Sequence, residues 1–474
     1  MLFPTYSFLI FFILIFSLGI SLKKSIDLYK IFLLLANLIF YSFWGLNFLS
    51  LLLISIGINY GILLGLKSDP KNAKSWLILG IIFNILYLGT FKYYNFFVDS
   101  FLVLFSFLPF TSTFQPLEIL VPIGVSFYTF RIISHLIDCY RQKLPFPRWL
   151  DYTIYISYFP QIASGPIARA KEFYQQLNSS QKYDYKIEEV IVLILSGLFK
   201  KYTLSSFLFN FTQLPFSDPS SYSSGDLILA AVSYSCLIYV DFSGYSDLSN
   251  AISSVFGFRP IQNFNCPYRS LSLQEFWHRW HISLSEWLRD YLYIPLGGNQ
   301  RGQNQKYLNL FLTLLIGGFW HGAGLNFIVW GGIHGLGLGL NHYFKEKITA
   351  QINIKKDSIL SRIIPILNWG LTFGFITLSW IFFQSSNIET ALNFIRGIWN
   401  SEIQTFQFNF WQLYLVIFII LVGINFYSQP ITSALVRLFA LKNIFFRIVL
   451  ISGFVYSILM LGPNSVPPFI YFNF

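Results

Sequence analysis

Apolar residues along this chain mostly run on without interruption, rather than alternating or recurring at helical intervals. Thr5 to Leu22 is an uncharged stretch of 18 residues, and Ile31 to Leu66 is one of 36, interrupted only by Trp44-Gly-Leu-Asn47. The first reads as one membrane-spanning helix and the second as two spans joined by a tight turn, because a helix needs ~20 apolar residues to cross a ~30 Å hydrocarbon layer. Further apolar windows lie at about 75–91, 100–137, 190–216, 227–257, 363–388, 403–436 and 448–470. The pattern predicts an all-α, polytopic integral membrane protein with about 11 transmembrane helices. Nothing repeats at a period of roughly 20 to 50 residues, so a single domain over 1–474 is expected.

Two stretches depart from this pattern. Tyr155-Ile-Ser-Tyr-Phe-Pro-Gln-Ile-Ala-Ser-Gly-Pro166 is apolar, short and twice interrupted by proline. Backbone of that kind must be enclosed by protein or line a wet cavity, since lipid cannot bond its freed N–H and C=O groups. It is expected to be re-entrant. Residues 262–305 are richer in charge and aromatic rings. From Glu275 to Tyr293, Trp277, Trp280, Leu284, Trp287 and Tyr291 fall on one helical stripe, with His278, Arg279, Glu286 and Arg289 opposite. This predicts an interfacial helix that turns His278 to the polar side and leaves His281 at the edge of the aromatic stripe.

Composition agrees with a lipid environment: 54% of residues are apolar and 11% charged, against roughly 25% charged in soluble domains. The net charge of +11 is explained by short linkers such as Lys67–Lys74, Arg141–Arg148 and Lys345-Glu-Lys347, where basic residues mark the cytoplasmic face. No basic stripe interleaved with stacking aromatics occurs in a polar segment, so nucleic acid is not an expected partner. Lys23 and Lys24 follow the first apolar run, which predicts an uncleaved helix with its amino end outside the cytoplasm. Cys139, Cys236 and Cys266 are far apart and lack CxxC spacing, so no thiolate metal site is expected.

Candidate chemistry sits between Lys306 and Lys345. These 38 residues contain no Asp, Glu, Lys or Arg, yet hold His321, His334, His342 and nine glycines. Histidine is the side chain there that titrates near neutrality. Tyr307 to Trp320 would make a helix of ~21 Å, too short to cross, so it is expected to stop at membrane depth where Gly322-Ala-Gly324 follows His321. An ionisable group at such a break is a functional candidate. The competing reading is a neutral histidine bonded to a neighbouring helix. Asp138, Asp241 and Asp247 lie in or beside apolar runs and need partners, either tyrosine hydroxyls and Lys200 or Lys201, or a substrate.

Three functions suit these features. Acyl transfer needs a base of near-neutral pKa, no metal, and access from both sides of the membrane. A membrane di-iron oxygenase or desaturase is suggested by Glu275-x-x-His278 and His278-x-x-His281, but six histidines with one close pair are few ligands for two irons. A polytopic transporter would also use glycine-broken helices, though no internal repeat supports it.

The segment Phe276-Trp-His-Arg-Trp-His-Ile-Ser-Leu-Ser-Glu-Trp-Leu-Arg-Asp-Tyr-Leu-Tyr-Ile-Pro-Leu-Gly-Gly298, followed by Phe319-Trp-His-Gly322, resembles the membrane-bound O-acyltransferase family, in its bacterial alginate O-acetylase branch. Pro122–Phe130, Phe159–Pro166, Gly197-Leu-Phe-Lys-Lys201 and Asp241-Phe-Ser-Gly-Tyr-Ser-Asp247 are similar too, in order along most of the chain. The resemblance implies a multi-helix shell with re-entrant and interfacial helices around a central tunnel. The motif-bearing core would be about 120–345, with peripheral helices at 1–119 and 346–474. It implies His321 as the principal catalytic residue and His281 as the second, orienting donor or acceptor. Trp320, Gly322, Trp277, Trp280, Asn326 and Asp241 would line the tunnel or substrate path. The donor would be a cytoplasmic acyl thioester of the acetyl-CoA type, with no bound cofactor and no metal. The acceptor would be an extracytoplasmic polysaccharide, alginate-like or cell-wall, or a partner transferase beyond an inner-membrane, multi-pass protein. Arg131, His135 and Gln384 depart from the branch's usual residues, which bears on acceptor or partner contacts more than on the reaction.

Overall fold

A computed structural model describes residues 3, 5–22, 24–105, 117–179, 183–347, 358–400, 411–440, 443–463 and 470. Among them every regular element is helical. Seven helical stretches among the described residues are long and apolar enough to cross a membrane. The apolar windows suggested more; the run from Thr5 and the first part of the run from Ile31 form helices of 17 residues each, Tyr6–Leu22 and Ile26–Ser42. The chain divides into two compact units, residues 1–186 with 249–261, and residues 187–248 with 262–474.

The first unit contains α1 (Tyr6–Leu22), α2 (Ile26–Ser42), α3 (Leu46–Ser68), α4 (Ala73–Leu88), α5 (Tyr94–Leu104), α6 (Val125–Tyr140), α7 (Trp149–Ser157), α8 (Phe159–Ile162) and α9 (Ala170–Asn178). The break between α2 and α3 falls at the expected turn. Gly45, at φ +129°, takes a backbone conformation that L side chains avoid. The window at 100–137 is not one span. α5 ends at Leu104, and α6 starts at Val125 after Gly124, where a Cβ would lie 2.1 Å from the Ile162 carbonyl oxygen. The proline-interrupted stretch at 155–166 forms the end of α7, α8 and a turn, and is buried throughout. Its freed backbone groups are bonded within this unit: Phe159 N–H donates to Asn37 Oδ1 at 3.0 Å, and the Ser249 hydroxyl donates to the Pro160 carbonyl at 2.6 Å. Protein therefore replaces the solvent that lipid cannot supply.

Arg131 and His135 are enclosed in the same unit. The Arg131 guanidinium donates to the Tyr155 carbonyl at 3.1 Å and to Gln161 Oε1 at 2.6 Å, and His135 Nε2 pairs with the Tyr174 hydroxyl at 3.0 Å. With exposures of 1% and 0%, they hold α6 against the re-entrant segment and α9.

The second unit contains α10 (Ile187–Leu198), α11 (Ser205–Ser217), most of α12 (Ser224–Val255), α13 (Leu273–Arg279), α14 (Ile282–Leu288), α15 (Gln303–His321), α16 (Leu325–Lys347), α17 (Ile359–Gln384), α18 (Ile388–Asn400), α19 (Trp411–Phe418), α20 (Asn425–Phe439) and α21 (Ile444–Leu461). The π-helical turn Phe199–Leu204 joins α10 to α11 and sends consecutive lysines to α12. Lys200 pairs with Asp247 at 2.7 Å and Lys201 with Asp241 at 2.5 Å. The helices can approach this closely because Gly197 and Gly244 face each other, each within about 3 Å of the other's carbonyl if a Cβ were added. Two of the quoted motifs thus form one joint.

Candidate active site

α15 is longer than the sequence reading proposed. It starts at Gln303, before Lys306, and ends on His321, giving 19 residues or ~28 Å. Gly322 caps it, extended at φ −154°, and α16 turns back three residues later. The hairpin is pressed together by glycine: a Cβ on Gly318 would sit 2.4 Å from the Phe327 carbonyl oxygen, and one on Gly331 2.4 Å from that of Leu314. Close backbone approach, beyond the turn itself, is what these glycines supply.

His321 is 4% exposed, at the carboxyl end of α15, with its ring enclosed by other rings. Trp320 lies 4.9 Å away, Trp330 5.2 Å at a right angle, and Phe383 of α17 5.3 Å. The partial negative charge at a helix C-terminus favours the cation that a histidine becomes on taking a proton. Gly322 matters through packing. Any Cβ there would strike the Phe327 ring at 2.1 Å, and Phe327 packs on Phe383, which touches His321. Asn326 caps α17: its amide donates to the Phe382 and Ser385 carbonyls at 3.2 and 2.8 Å, satisfying groups a helix end leaves open.

The expected interfacial helix at 275–293 is broken. α13 ends at Arg279, α14 starts at Ile282, and His281 between them is left-handed at φ +40°. That conformation is uncommon for non-glycine residues and is held here by Asn263. Asn263 Oδ1 accepts from Ser283 N–H (3.3 Å), from the Ser283 hydroxyl (2.9 Å) and from His281 Nδ1 (3.1 Å), while Ile282 N–H donates to the Asn263 carbonyl at 2.9 Å. Because this oxygen already accepts a backbone N–H, His281 must carry its proton on Nδ1. Nε2 is then a lone pair, buried and without a hydrogen-bond partner among the described residues. Burial pushes the His281 pKa down to about 3, so the ring is neutral at physiological pH. Asn263 was invisible to sequence reasoning, since nothing in a single asparagine signals a clamp on a residue 18 positions away.

The aromatic stripe is buried as expected at Trp277, Trp280, Leu284 and Trp287, and His278 is exposed. His281 and His321 join opposite ends of one aromatic array, running from His281 to Phe264 (6.5 Å), Trp280 (5.0 Å), Trp380 (5.1 Å), Trp330 (5.5 Å) and His321 (5.2 Å). Asp241 is committed elsewhere, one oxygen to Lys201 and the other to the Ile470 N–H at 3.0 Å. Its neighbour Phe242 lies 4.7 Å from the His281 ring. Both Asp241 oxygens are thus bonded within the protein.

A cavity of about 750 Å³ opens beside α13 to α16. Its rim carries Arg289, Lys306, His342, Lys345 and Glu346; its inner wall carries Leu310, Thr313, Leu314, Leu338 and Trp277. Lys306 pairs with Glu346 across the ends of α15 and α16. The rim lies at the start of α15, and His321 is the last residue of that helix, ~22 Å further along. Of the residues expected to line the path, Trp277 alone borders this cavity.

The membrane-bound O-acyltransferase profile matches residues 100–386, which hold both histidines and the α15–α16 hairpin. The chain belongs to this family. It is therefore an acyltransferase of the membrane, with an acyl donor among its substrates. The chain is 37% identical to the peptidoglycan O-acetyltransferase of Helicobacter pylori over 78% of its own length and 73% of that protein. It is 34% identical to the probable alginate O-acetylase of Pseudomonas putida over 100% of both. The teichoic acid D-alanyltransferase of Streptococcus thermophilus is 27% identical over 58% of this chain. Membership sets aside the oxygenase and the transporter. Among the described residues no three His, Cys, Asp or Glu side chains gather as metal ligands would.

Proposed function

We propose that this protein takes an acetyl group from a thioester donor on the cytoplasmic side and delivers it to a hydroxyl of an extracytoplasmic polysaccharide, or to a transferase serving one. The relatives named as peptidoglycan and alginate O-acetylases motivate the acetyl group and the glycan. The observation that carries the vectorial reading is that the basic rim of the cavity and the histidine lie at opposite ends of α15. The basic rim belongs with the cytoplasmic linkers, and its charge suits a phosphorylated donor such as acetyl-CoA. By the same charge rule, Lys23 and Lys24 after the first apolar run favour an amino terminus outside.

His321 acts as general base. It takes the proton of the acceptor hydroxyl as that oxygen attacks the thioester carbonyl carbon; the tetrahedral adduct collapses by breaking the C–S bond, and the thiolate leaves and regains the proton from the imidazolium. A positioned base contributes about 10²–10⁴ in rate. His281, with its Nε2 lone pair fixed by Asn263, orients the acceptor hydroxyl or the donor. The test is made in sealed proteoliposomes with labelled acetyl-CoA on one side and an alginate or peptidoglycan fragment, with or without a candidate extracytoplasmic transferase, on the other. Label should reach the glycan only when donor faces the Lys306–Lys345 end. Equal labelling from either side, or none with any acceptor, contradicts the proposal.

A further inference from the structure

The cavity ends where a partition begins. Trp277 of α13 faces the cavity, and behind it its ring meets Trp330 of α16 at 5.9 Å and His334 at 5.3 Å. Trp330, 1% exposed, in turn sets its ring against His321. Leu314, on the cavity wall, precedes His321 by seven residues of α15, or ~10 Å. Anything entering from the basic rim meets Trp277 before it can meet the histidine.

The partition is also polar in an unusual way. The indole N–H of Trp277, that of Trp330 and His334 Nδ1 are all buried without hydrogen-bond partners among the described residues. His334 Nε2 bonds the Ser379 hydroxyl at 2.8 Å, and that hydroxyl donates to the Ile376 carbonyl at 2.7 Å. The imidazole proton is therefore on Nε2, and Nδ1 is a free acceptor. Buried donors and acceptors are rarely left unmet, so two donors and an acceptor on three rings in mutual contact mark where a small polar group belongs.

We propose that Trp277 and Trp330 form the acyl-size filter of this enzyme, with the acyl carbonyl held at their indole N–H groups and the Trp277 ring occupying the space a longer chain would need. The assignment rests on reading His321 as the base and the cavity as the donor's entry. It adds that the two bulky rings, held in place, leave room for an acetyl group and little more. A hydrophobic pocket discriminates by about 10- to 200-fold per methylene, so a rigid double-indole wall falls in that range.

Acetyl-, propionyl- and butyryl-CoA are compared as donors for the detergent-purified full-length protein. The wild type should lose at least about 10-fold in kcat/KM with each added methylene. Trp277→Ala should flatten that series by ~10-fold or more, while Trp277→Phe, which keeps a ring and removes the N–H, should keep the size order and lower kcat on acetyl-CoA. Trp277→Leu gives an intermediate series if the alanine variant is not recovered folded. An unchanged series in the folded alanine or leucine variant overturns the filter. His321→Ala serves as control: activity surviving there removes the reading of the site itself, whereas an inactive His321→Ala beside an unchanged Trp277 series removes the filter alone.

Discussion

At the scale of single residues, the sharpest feature is an asparagine. Asn263 fixes the tautomer of His281, its left-handed backbone and the start of α14 through one side-chain oxygen and one carbonyl. Asn263→Ala would leave Ser283 and His281 without their acceptor, and we expect a loss of about 1–3 kcal/mol, read as a lower melting temperature in detergent, together with reduced transfer. Titration gives a second test. The ordinary histidine pKa is 6.5 and that of buried His281 is about 3, so the folded state binds its proton later than the unfolded state. Stability contributed by the neutral ring is complete above pH 6.5 and is lost as pH falls toward 3. Relative to His281→Gln, the wild type should lose about 2 kcal/mol between pH 6.5 and pH 5. Equal acid sensitivity of the two proteins would contradict the burial argument.

Among the elements, the α15–α16 hairpin carries the site, and its glycines set how close the two helices come. Gly331→Ala places a methyl 2.4 Å from the Leu314 carbonyl oxygen, and we expect about 1–3 kcal/mol of overpacking strain with displaced His321, measured as reduced folded yield and reduced transfer together. Much of this was legible in the sequence. The charge-free run between two lysines located the hairpin, and the histidine beside Gly322 located its break. The extra turn of α15 was missed because a polar start looks like a loop when only apolar residues are counted. The break at His281 was missed because the aromatic stripe continues through it in projection, while the clamp that interrupts it comes from a distant loop. Trp320, Trp277 and Trp280 were expected on the path, and the structure arranges them as an aromatic array. Asn326 and Asp241 carry polar groups like substrate ligands; in the structure the Asn326 amide bonds the carbonyls at the end of α17, and Asp241 bonds Lys201 and the Ile470 N–H.

For the molecule as a whole, part of the buried charge is held in ion pairs. Lys201 and Asp241 are 4% and 3% exposed in their side chains, and join α10, α11, α12 and Ile470. Lys201→Met should be strongly destabilising, by about 3–5 kcal/mol, since it strands a buried carboxylate, whereas the double change with Asp241→Leu should recover much of that loss; a thermal melt of the three proteins checks it. The lysine-rich rim, the cavity, the two tryptophans and His321 follow one another along the length of α15. Under the proposed function they form the route by which a donor enters at one end and a hydroxyl is activated at the other.

That route depends on His321 removing a proton. The most direct measurement is single-turnover transfer of labelled acetyl from acetyl-CoA to acceptor by purified His321→Ala, compared with wild type at equal melting temperature. The account predicts a fall of about 10²–10⁴ in rate with donor binding retained. Transfer within a few-fold of wild type would contradict it.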